Sequence, residues 1–255
     1  MTTADPERIR KVLTDLARKY PANMVDGQLI DIPRTMFHID LMLRAAGDKA
    51  AVCDIGGGVG VFSVACAALG MSATLVDDFQ DSINLQEGDN ALRLHKELGV
   101  TVDSRDVIRD GIPFAPDSFD VITSFDSVEH WHASPKKVFH RLMECLKPNG
   151  TLILGVPNCV NARKRIAVPL GIAQWSSMDV WYEQEVFRGH VREPSVQDLN
   201  YISRDLKLRN VRVMGRNWLG LESRRPFVKQ AAVLTDRLLQ LMPSLCSNLY
   251  LIGQK

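Results

Sequence analysis

The chain has 255 residues, of which 45% are hydrophobic and 24% are charged, and its formal net charge is +1. This composition is typical of a globular protein, and the length fits one large α/β domain. A chain of this length buries a core large enough to fold without disulfides or metals. A net charge so close to zero gives no sign of a polyanionic partner, so we expect no binding to nucleic acid.

Several features of the sequence predict a cytoplasmic protein. The five cysteines are odd in number and none has CxxC spacing, so we expect reduced thiols instead of disulfides or a zinc site. The N-terminal segment is charged and lacks an apolar core, which argues against a signal peptide. The uncharged run at 55–76 is long enough to span a bilayer. Its glycines, and Asp54 and Asp77 at its ends, favour a strand, a turn, a helix and a second strand, so we predict no transmembrane segment.

Two amphipathic helices come first in chain order. Residues 5–20 have apolar positions at helical spacing, with Asp5 as an N-cap and Pro6 at the first helical position. Residues 33–46 form the second predicted helix. Both helices precede the first predicted strand, so we predict a helical lid over 1–47 and a main domain over 48–255.

From residue 50 onward, predicted strands and helices alternate. Strands are expected at 50–55, 72–76, 101–104, 119–124 and 151–156, with helices at 59–69, 83–98 and 136–145 and a turn at 147–150. This order predicts an α/β fold with a doubly wound, mostly parallel, seven-stranded Rossmann-like sheet. Ligands of such a sheet bind at the carboxyl ends of the strands.

The C-terminal third is less regular. Residues 157–195 lack a clean period and are rich in Trp, Arg and Gly, so we expect a cap over the site. A helix at 194–205 and strands at 211–214 and 248–253 follow. A helix is also predicted at 226–241, and its apolar residues share one face: Phe227, Ala231, Leu234, Leu238 and Leu241. This pattern favours core packing or a homodimer contact over membrane attachment.

The segment from Asp54 to Gly60 reads D-x-G-x-G-x-G at the end of the first predicted strand. Glycines at a strand-to-helix turn let the backbone approach a ligand, and the N-terminus of the next helix faces that ligand. The dinucleotide fingerprint G-x-G-x-x-G fails, because its third glycine falls on Val61 or Ser63. A nicotinamide cofactor is therefore disfavoured.

Two acidic positions follow the glycine segment. Asp77, at the end of the second predicted strand, can accept hydrogen bonds from both hydroxyls of a ribose. Asp106, after the third strand, can accept from an adenine amino group, with Val107 against the ring. A helix cap or an ordinary loop acid is the alternative at both positions.

The segment from about residue 50 to 157 resembles the class I methyltransferases that use S-adenosyl-L-methionine (SAM), in particular the type 11 group. The motifs that carry the resemblance are DIGGGVG (54–60), LVDD (75–78), RDV (105–107), IPFAPDSFDVI (112–122), FDSVEHW (125–131) and LKPNGTLIL (146–154). It implies SAM as the cofactor. The cofactor-binding residues that it implies are Asp54, Gly56, Gly57, Gly58, Gly60, Asp77, Asp78, Phe79, Asp106, Val107, Ser124 and Phe125. Gly57 stands where many members have a larger residue.

Methyl transfer to a hydroxyl needs a positioned acceptor and a base. The predicted catalytic residues are Asp126, Glu129 and His130 after the fourth strand and His190 in the cap, with His132 beside them; helix-capping or surface roles are the alternative. Asp126, Glu129 and His130 are also a candidate set of ligands for a divalent metal, resembling ubiquinone-type O-methyltransferases that have Glu in place of Asp126. Their spacing is short, and we expect no metal.

Aromatic residues and tail motifs bear on the acceptor. The aromatics that either line an acceptor pocket or pack over the sheet are Trp131, Trp175, Trp181, Tyr182 and Phe187. The motifs HVREPS (190–195) and PSLCSNLYLIGQK (243–255) are similar to methyltransferases of bacterial glycan biosynthesis. We therefore predict transfer to a hydroxyl oxygen of a small or medium acceptor, a sugar or lipid-linked glycan. N-, C- or phenolic O-methylation of another metabolite, and a non-catalytic SAM-binding scaffold, stay open.

Overall fold

The computed structural model describes residues 5–81, 86–87, 89–172, 176–223 and 225–255. Trp175, one of the aromatics predicted for a pocket, lies outside these residues. The chain divides into two compact units. Unit 1 comprises Met1–Phe125, Lys136–Leu152 and Gln254–Lys255, and unit 2 comprises Asp126–Pro135 and Ile153–Gly253.

The described strands form one seven-stranded sheet with the order β3-β2-β1-β4-β5-β7-β6. The strands are β1 Ala51–Ile55, β2 Ser72–Asp77, β3 Thr101–Ser104, β4 Phe119–Phe125, β5 Leu146–Pro157, β6 Arg209–Arg216 and β7 Asn248–Gln254. β1 pairs in parallel with β2 and β4, and β2 with β3. Val52, Cys53 and Ile55 of β1 are buried, as expected of a strand covered on both faces. The predicted mostly parallel, doubly wound sheet is confirmed.

Helices precede and alternate with the strands of unit 1. They are α1 Pro6–Ala17, α2 Ala22–Ile30, α3 Ile32–Ala46, α4 Val61–Ala68, α5 Asp89–Glu97, α6 Val107–Asp110 and α7 Lys136–Cys145. Asp5 caps α1, because its carboxylate accepts from the amide N–H of Glu7 at 3.0 Å. The sequence predicted two helices before β1, but α2 lies between them. Its residues carry only a weak apolar pattern, with Met24 as its buried residue.

The predicted turn at 147–150 lies inside β5. Asn149 keeps the left-handed backbone of a turn, with φ +64°. The strand nevertheless begins at Leu146, and the amide N–H of Lys255 donates to the Gly150 carbonyl at 2.9 Å. Pairing with the last residue of the chain explains the early start, and that partner is distant in the sequence.

Unit 2 contains short helices between its strands. They are a 3-10 turn at Val128–His130, α8 Ala162–Ala167, a π-helical turn at Asp179–Glu183, α9 Val196–Asp205, α10 Trp218–Leu221, α11 Pro226–Gln240 and a 3-10 turn at Pro243–Leu245. α9 starts two residues later than predicted, because Ser195 is its N-cap. The Ser195 hydroxyl accepts from the Asp198 amide, and the Asp198 carboxylate accepts from the Ser195 amide, a complete capping box.

Of the two interpretations predicted for α11, core packing is wrong, and a homodimer contact stays a prediction. Phe227, Leu234, Leu238 and Leu241 are all exposed, and Ala232 is the buried residue of the helix. The face that the sequence assigned to the interior therefore points to solvent. Among the described helices, none combines the length and apolarity that crossing a membrane requires.

Candidate functional site

The glycine turn after β1 depends on close backbone contacts. Gly56 and Gly58 have φ values of +70° and +55°, which favour glycine. The Gly56 amide donates to the Val76 carbonyl at 2.7 Å, holding the turn against β2. A Cβ on Gly57 would lie 2.0 Å from Asp54 Oδ2. A larger residue at position 57 therefore does not fit this turn.

Asp54 stabilises this turn from inside unit 1. Its Oδ1 accepts from Thr123 Oγ1 at 2.7 Å and its Oδ2 from Ser63 Oγ at 3.1 Å. Burial raises the pKa of Asp54 to about 6, although these two hydrogen bonds oppose the shift. The carboxylate thus joins the end of β1 to β4 and α4, and its role in a cofactor site stays a prediction.

Asp77 lies at the end of β2 and contacts the glycine turn directly. Its Oδ2 accepts from the Gly58 amide at 2.9 Å, and its Oδ1 from the Phe79 amide at 2.7 Å. Burial raises the pKa of Asp77, and the two amide donors oppose that shift. A carboxylate has about four acceptor positions, so two remain open to further donors, and the predicted contact with ribose hydroxyls stays a prediction.

The residues after Asp77 form a constrained turn. Phe79 has φ +52°, an unfavourable value for a bulky residue that is commonly retained at functional sites. The Asp78 carboxylate accepts from the Gln80 amide at 3.1 Å. Asp78 and Phe79 therefore shape the loop beside Asp77, and their contact with a cofactor stays a prediction.

Asp106 caps α6. Its Oδ1 accepts from the amides of Ile108 and Arg109 at 2.9 and 3.2 Å, and Val107 is buried beside it. The helix-cap role that was the alternative for Asp106 therefore explains the hydrogen bonds of Oδ1. The predicted contact with an adenine amino group depends on the other oxygen.

Ser124 and Phe125 end β4. Ser124 is buried, and its Oγ has no hydrogen-bond partner among the described residues. The Phe125 ring stacks on His38 with centroids 3.8 Å apart and meets the edge of Phe62 at 5.2 Å. Burial holds the pKa of His38 well below its usual value, so the stack joins two neutral rings. Phe125 thereby links β4 to α3 and α4.

Sequence reasoning missed four residues that support the turn. Tyr20 Oη donates to the Gly60 carbonyl at 3.2 Å, across 40 residues of sequence. Ser63 and Thr123 hold Asp54, and both could have been found from their places on the predicted helix and strand. His95 is fully buried near the Gly60 backbone, and desolvation lowers its pKa to about 4. Nothing in the sequence near Tyr20 or His95 indicates these contacts.

In unit 2, the segment that follows β4 meets the predicted cap. Asp126 has φ +50°, its amide donates to Gly155 at 2.8 Å, and its Oδ1 accepts from Asn248 Nδ2 at 3.3 Å. Glu129 is buried in the 3-10 turn, and its carbonyl accepts from the amide of Val191 at 2.7 Å. That bond brings the cap segment at 187–193 to the turn.

Two predicted histidines are brought together here. The rings of His130 and His190 meet edge to face with centroids 4.8 Å apart. His130 Nδ1 lies 2.8 Å from the Arg188 carbonyl, and desolvation lowers the pKa of His130. His130 is therefore neutral near pH 7 and can accept a proton.

His190 is oriented by a residue that the sequence did not single out. Its Nδ1 lies 2.9 Å from Glu193 Oε1, and Glu193 is buried and also bonded to Lys164. Burial alone would raise the pKa of Glu193, but the hydrogen bonds from His190 and Lys164 outweigh it and lower the pKa. The ionised Glu193 fixes the histidine ring, as carboxylates do in catalytic dyads.

Among the described residues, the group that could offer ligands to a metal differs from the predicted candidate set. Glu129, His130 and His190 each offer one ligand atom within 4.8 Å of one another. Asp126 does not belong to this described group, and its carboxylate bonds to Asn248 instead. His190, which lies far along the sequence, takes the place that short spacing assigned to Asp126.

A cavity of about 440 Å³ lies in unit 2. Its lining residues are His132, Ser176, Met178, Trp181, Phe187, His190 and Val191. Two of the predicted aromatics, Trp181 and Phe187, line it. Trp131 instead donates from Nε1 to Ser127 Oγ at 3.2 Å, and Tyr182 is exposed. The cavity joins an apolar wall to an oriented imidazole, a combination common in sites for small molecules.

The chain matches a known protein family and resembles several curated proteins. The family model described as "Methyltransferase domain" matches residues 17–213. The ubiquinone biosynthesis O-methyltransferase of Burkholderia vietnamiensis is 31% identical over 162 residues, 62% of this chain and 66% of the relative. That of Xanthomonas campestris strain B100 is 34% identical over 127 residues, 49% of this chain and 50% of the relative. The chain thus spans between half and two thirds of these relatives' lengths.

Solved structures share the fold at low identity. Phosphoethanolamine N-methyltransferase 2 of Haemonchus contortus, in complex with SAM, has a TM-score of 0.54 at 18% identity, covering 86% of this chain and 52% of that chain. A SAM-dependent methyltransferase of Methanosarcina mazei has a TM-score of 0.56 at 18% identity, covering 84% and 96%. Both support the Rossmann-like architecture.

Proposed function

Because the chain belongs to the methyltransferase-domain family, we propose that it is a SAM-dependent enzyme that methylates a hydroxyl oxygen. One observation carries the proposal. The carboxylate that ends β2 is bonded to the amide of Gly58, inside a turn whose positive φ values at Gly56 and Gly58 favour glycine. This arrangement suits a ligand that has a charged amino-acid end and a ribose.

The residues of unit 1 fit SAM by their chemistry. The open glycine turn leaves room for the methionine part, Asp77 keeps acceptor positions for ribose hydroxyls, and Asp106 and Val107 suit adenine. When bound, SAM supplies a methyl group already activated on a sulfonium. The protein therefore has to position an acceptor and remove a proton, which simple binding residues and one base can do.

We assign proton removal to His190. It lines the cavity of unit 2, and Glu193 holds its Nδ1, so its Nε2 is the atom that accepts the proton of an acceptor hydroxyl. His130, neutral near pH 7 and packed against His190, is the second candidate. Asp126 and Glu129 then act by shaping the turn that carries His130.

Two classes of acceptor remain open, a phenol and a sugar, and both would be methylated on a hydroxyl oxygen. The names of the curated relatives favour a phenol of the ubiquinone type. The tail motifs favour a sugar or lipid-linked glycan, our prediction from the sequence. The aromatic wall of Trp181 and Phe187 suits either. A homodimer and a cytoplasmic location are further predictions.

Calorimetry with SAM, S-adenosylhomocysteine and NAD tests the cofactor, and transfer of a tritium-labelled methyl group to catechols, hexoses and lipid-linked sugars tests the acceptor. We expect binding of the first two ligands and no binding of NAD. Tritium label recovered in a catechol identifies a phenolic acceptor, and label recovered in a hexose or a lipid-linked sugar identifies a sugar acceptor. SAM binding without transfer to any acceptor would favour the scaffold alternative, and NAD binding alone would refute the proposal.

A further inference from the structure

Helix α11 presents an apolar stripe to solvent. The stripe consists of Phe227, Leu234, Leu238 and Leu241, whose side chains are exposed by between 60% and 84%. Their spacing places them on one face of the helix. Proteins that act alone in water rarely expose so large a contiguous apolar patch, so this face is expected to meet a partner.

The opposite face of α11 fixes the helix to unit 2. Ala232 is buried, and Asp236 is mostly buried and lies 3.6 Å from Arg216. Cys246 Sγ contacts the Leu239 carbonyl at 3.3 Å. The stripe therefore points outward because the other side of the helix is already packed.

The exposed charges of α11 and of its N-cap have one sign. Arg225, Lys229 and Arg237 are exposed, and the helix has one carboxylate, Asp236, which faces Arg216 instead of solvent. The exposed part of α11 thus combines a stripe of large apolar side chains with cations, of which Arg237 flanks the stripe and Lys229 lies nearer the packed face. Interfacial helices that lie on anionic membranes have this composition.

A second apolar segment continues the surface beyond the end of α11. Arg165 Nη2 donates to the Ser244 carbonyl at 3.3 Å, which places the end of α8 beside the turn that follows Leu241. The exposed residues that come after Arg165 are Ile166, Val168, Leu170 and Ile172. Arg163, also exposed, adds a cation to this segment.

We propose that α11 lies on the surface of a bilayer containing anionic phospholipids, with the stripe in the acyl boundary and the cations at the headgroups. A second copy of the chain is a poorer occupant. Two stripes facing each other would bring the Arg237 side chains of both copies together, and the stripe face of α11 has no carboxylate to pair with them. Anionic headgroups supply the missing charge.

Vesicle sedimentation tests the proposal independently of methyl transfer. The probes are vesicles of phosphatidylcholine alone and of phosphatidylcholine with about a quarter phosphatidylglycerol. We expect binding to the anionic vesicles. The pair Leu234→Gln and Leu238→Gln should weaken it at least about 10-fold. The pair Arg163→Glu and Arg237→Glu should weaken it at least about 30-fold, since each basic residue near the surface contributes.

Matched variants separate a local effect from a general one. Ile30→Gln with Tyr201→Gln removes exposed apolar side chains elsewhere, and Lys137→Glu with Arg212→Glu reverses two other exposed charges. Both pairs should bind like the wild type, and circular dichroism confirms folding. Absence of wild-type binding, equal binding to both vesicles, or equal losses in the matched pairs overturns the proposal. So does light scattering that shows a dimer lost in the stripe variants without any vesicle binding.

Discussion

The glycine-turn region of unit 1 and the histidine region of unit 2 are built differently. Around the glycine turn, Asp77 bonds to backbone amides within 19 residues of sequence. Around the histidines, His130 bonds to a carbonyl 58 residues away. The first region is a turn held by backbone amides, and a short sequence motif specifies it. The second exists only when the cap segment reaches the 3-10 turn, so it can change between relatives without loss of the fold.

The largest expected effect tests the chemistry of unit 2. His190→Gln should lower kcat about 10³-fold, because a positioned general base contributes on this order. SAM affinity, measured by calorimetry, should stay unchanged, since the proposed SAM residues belong to unit 1. His140→Gln, in α7, is the control. If His190→Gln and His130→Gln both retain full turnover, proton removal by this pair is excluded.

The next effect concerns stability and the buried carboxylate of the turn. The pKa of Asp54 is 3.8 in the unfolded chain and rises to about 6 on folding. Its contribution to stability is therefore complete below pH 3.8 and is lost as the pH rises through about 6. The loss amounts to about 3 kcal/mol between about pH 4 and pH 7. Asp54→Asn should remove this pH dependence in urea unfolding.

His95 provides a control of opposite sign for that experiment. Its pKa falls from 6.5 to about 4 on folding, so its contribution is present above the unfolded value and is lost as pH falls. His95→Gln should therefore change the slope of stability against pH in the other direction. Parallel slopes for the Asp54 variant and the wild type would show that the carboxylate is not desolvated.

Asp77 tests the cofactor assignment itself. Asp77→Asn loses a charged acceptor for the Gly58 amide and for ribose hydroxyls, and we expect SAM to bind about 100-fold more weakly. Asp89→Asn, at an exposed carboxylate, should bind normally. Unchanged SAM affinity in the Asp77 variant would refute the ribose role.

Glycine substitutions give a graded test of the turn. Gly57→Ala should cost about 2 kcal/mol, because the new Cβ meets Asp54 and Leu75. Gly58→Ala meets nothing but keeps φ +55°, and should cost about 1 kcal/mol. Gly27→Ala, in α2, should gain up to about 1 kcal/mol. Any other order in chemical denaturation contradicts the packing described for Gly57.

The smallest effect tests orientation in unit 2. Glu193→Gln should lower kcat about 10-fold and leave KM unchanged, because Glu193 positions His190 and does not touch the acceptor. Glu193→Asp should recover part of the loss, which a purely structural role would not predict. A change confined to KM would show that Glu193 contributes to the cavity instead.

Local patterns in the sequence were sufficient for much of the molecule. The strands, the capped helix α1, the glycine turn and the position of Asp77 follow from hydrophobic periodicity and from glycine's freedom at positive φ, both of which depend on neighbouring residues. The pairing of Asp54 with Thr123 could be anticipated only in outline, from adjacent strands.

Contacts between distant segments were decided by the tertiary structure. Tyr20 on the Gly60 carbonyl, Glu193 on His190 and the exchange of Asp126 for His190 beside Glu129 join residues whose separation carries no periodic signal. The stripe on α11 illustrates the same limit of sequence patterns. An apolar face predicts burial, but the sequence does not identify the surface that covers it. Sequence periodicity specifies which side of an element is apolar, whereas only packing determines whether protein, ligand or solvent lies against it.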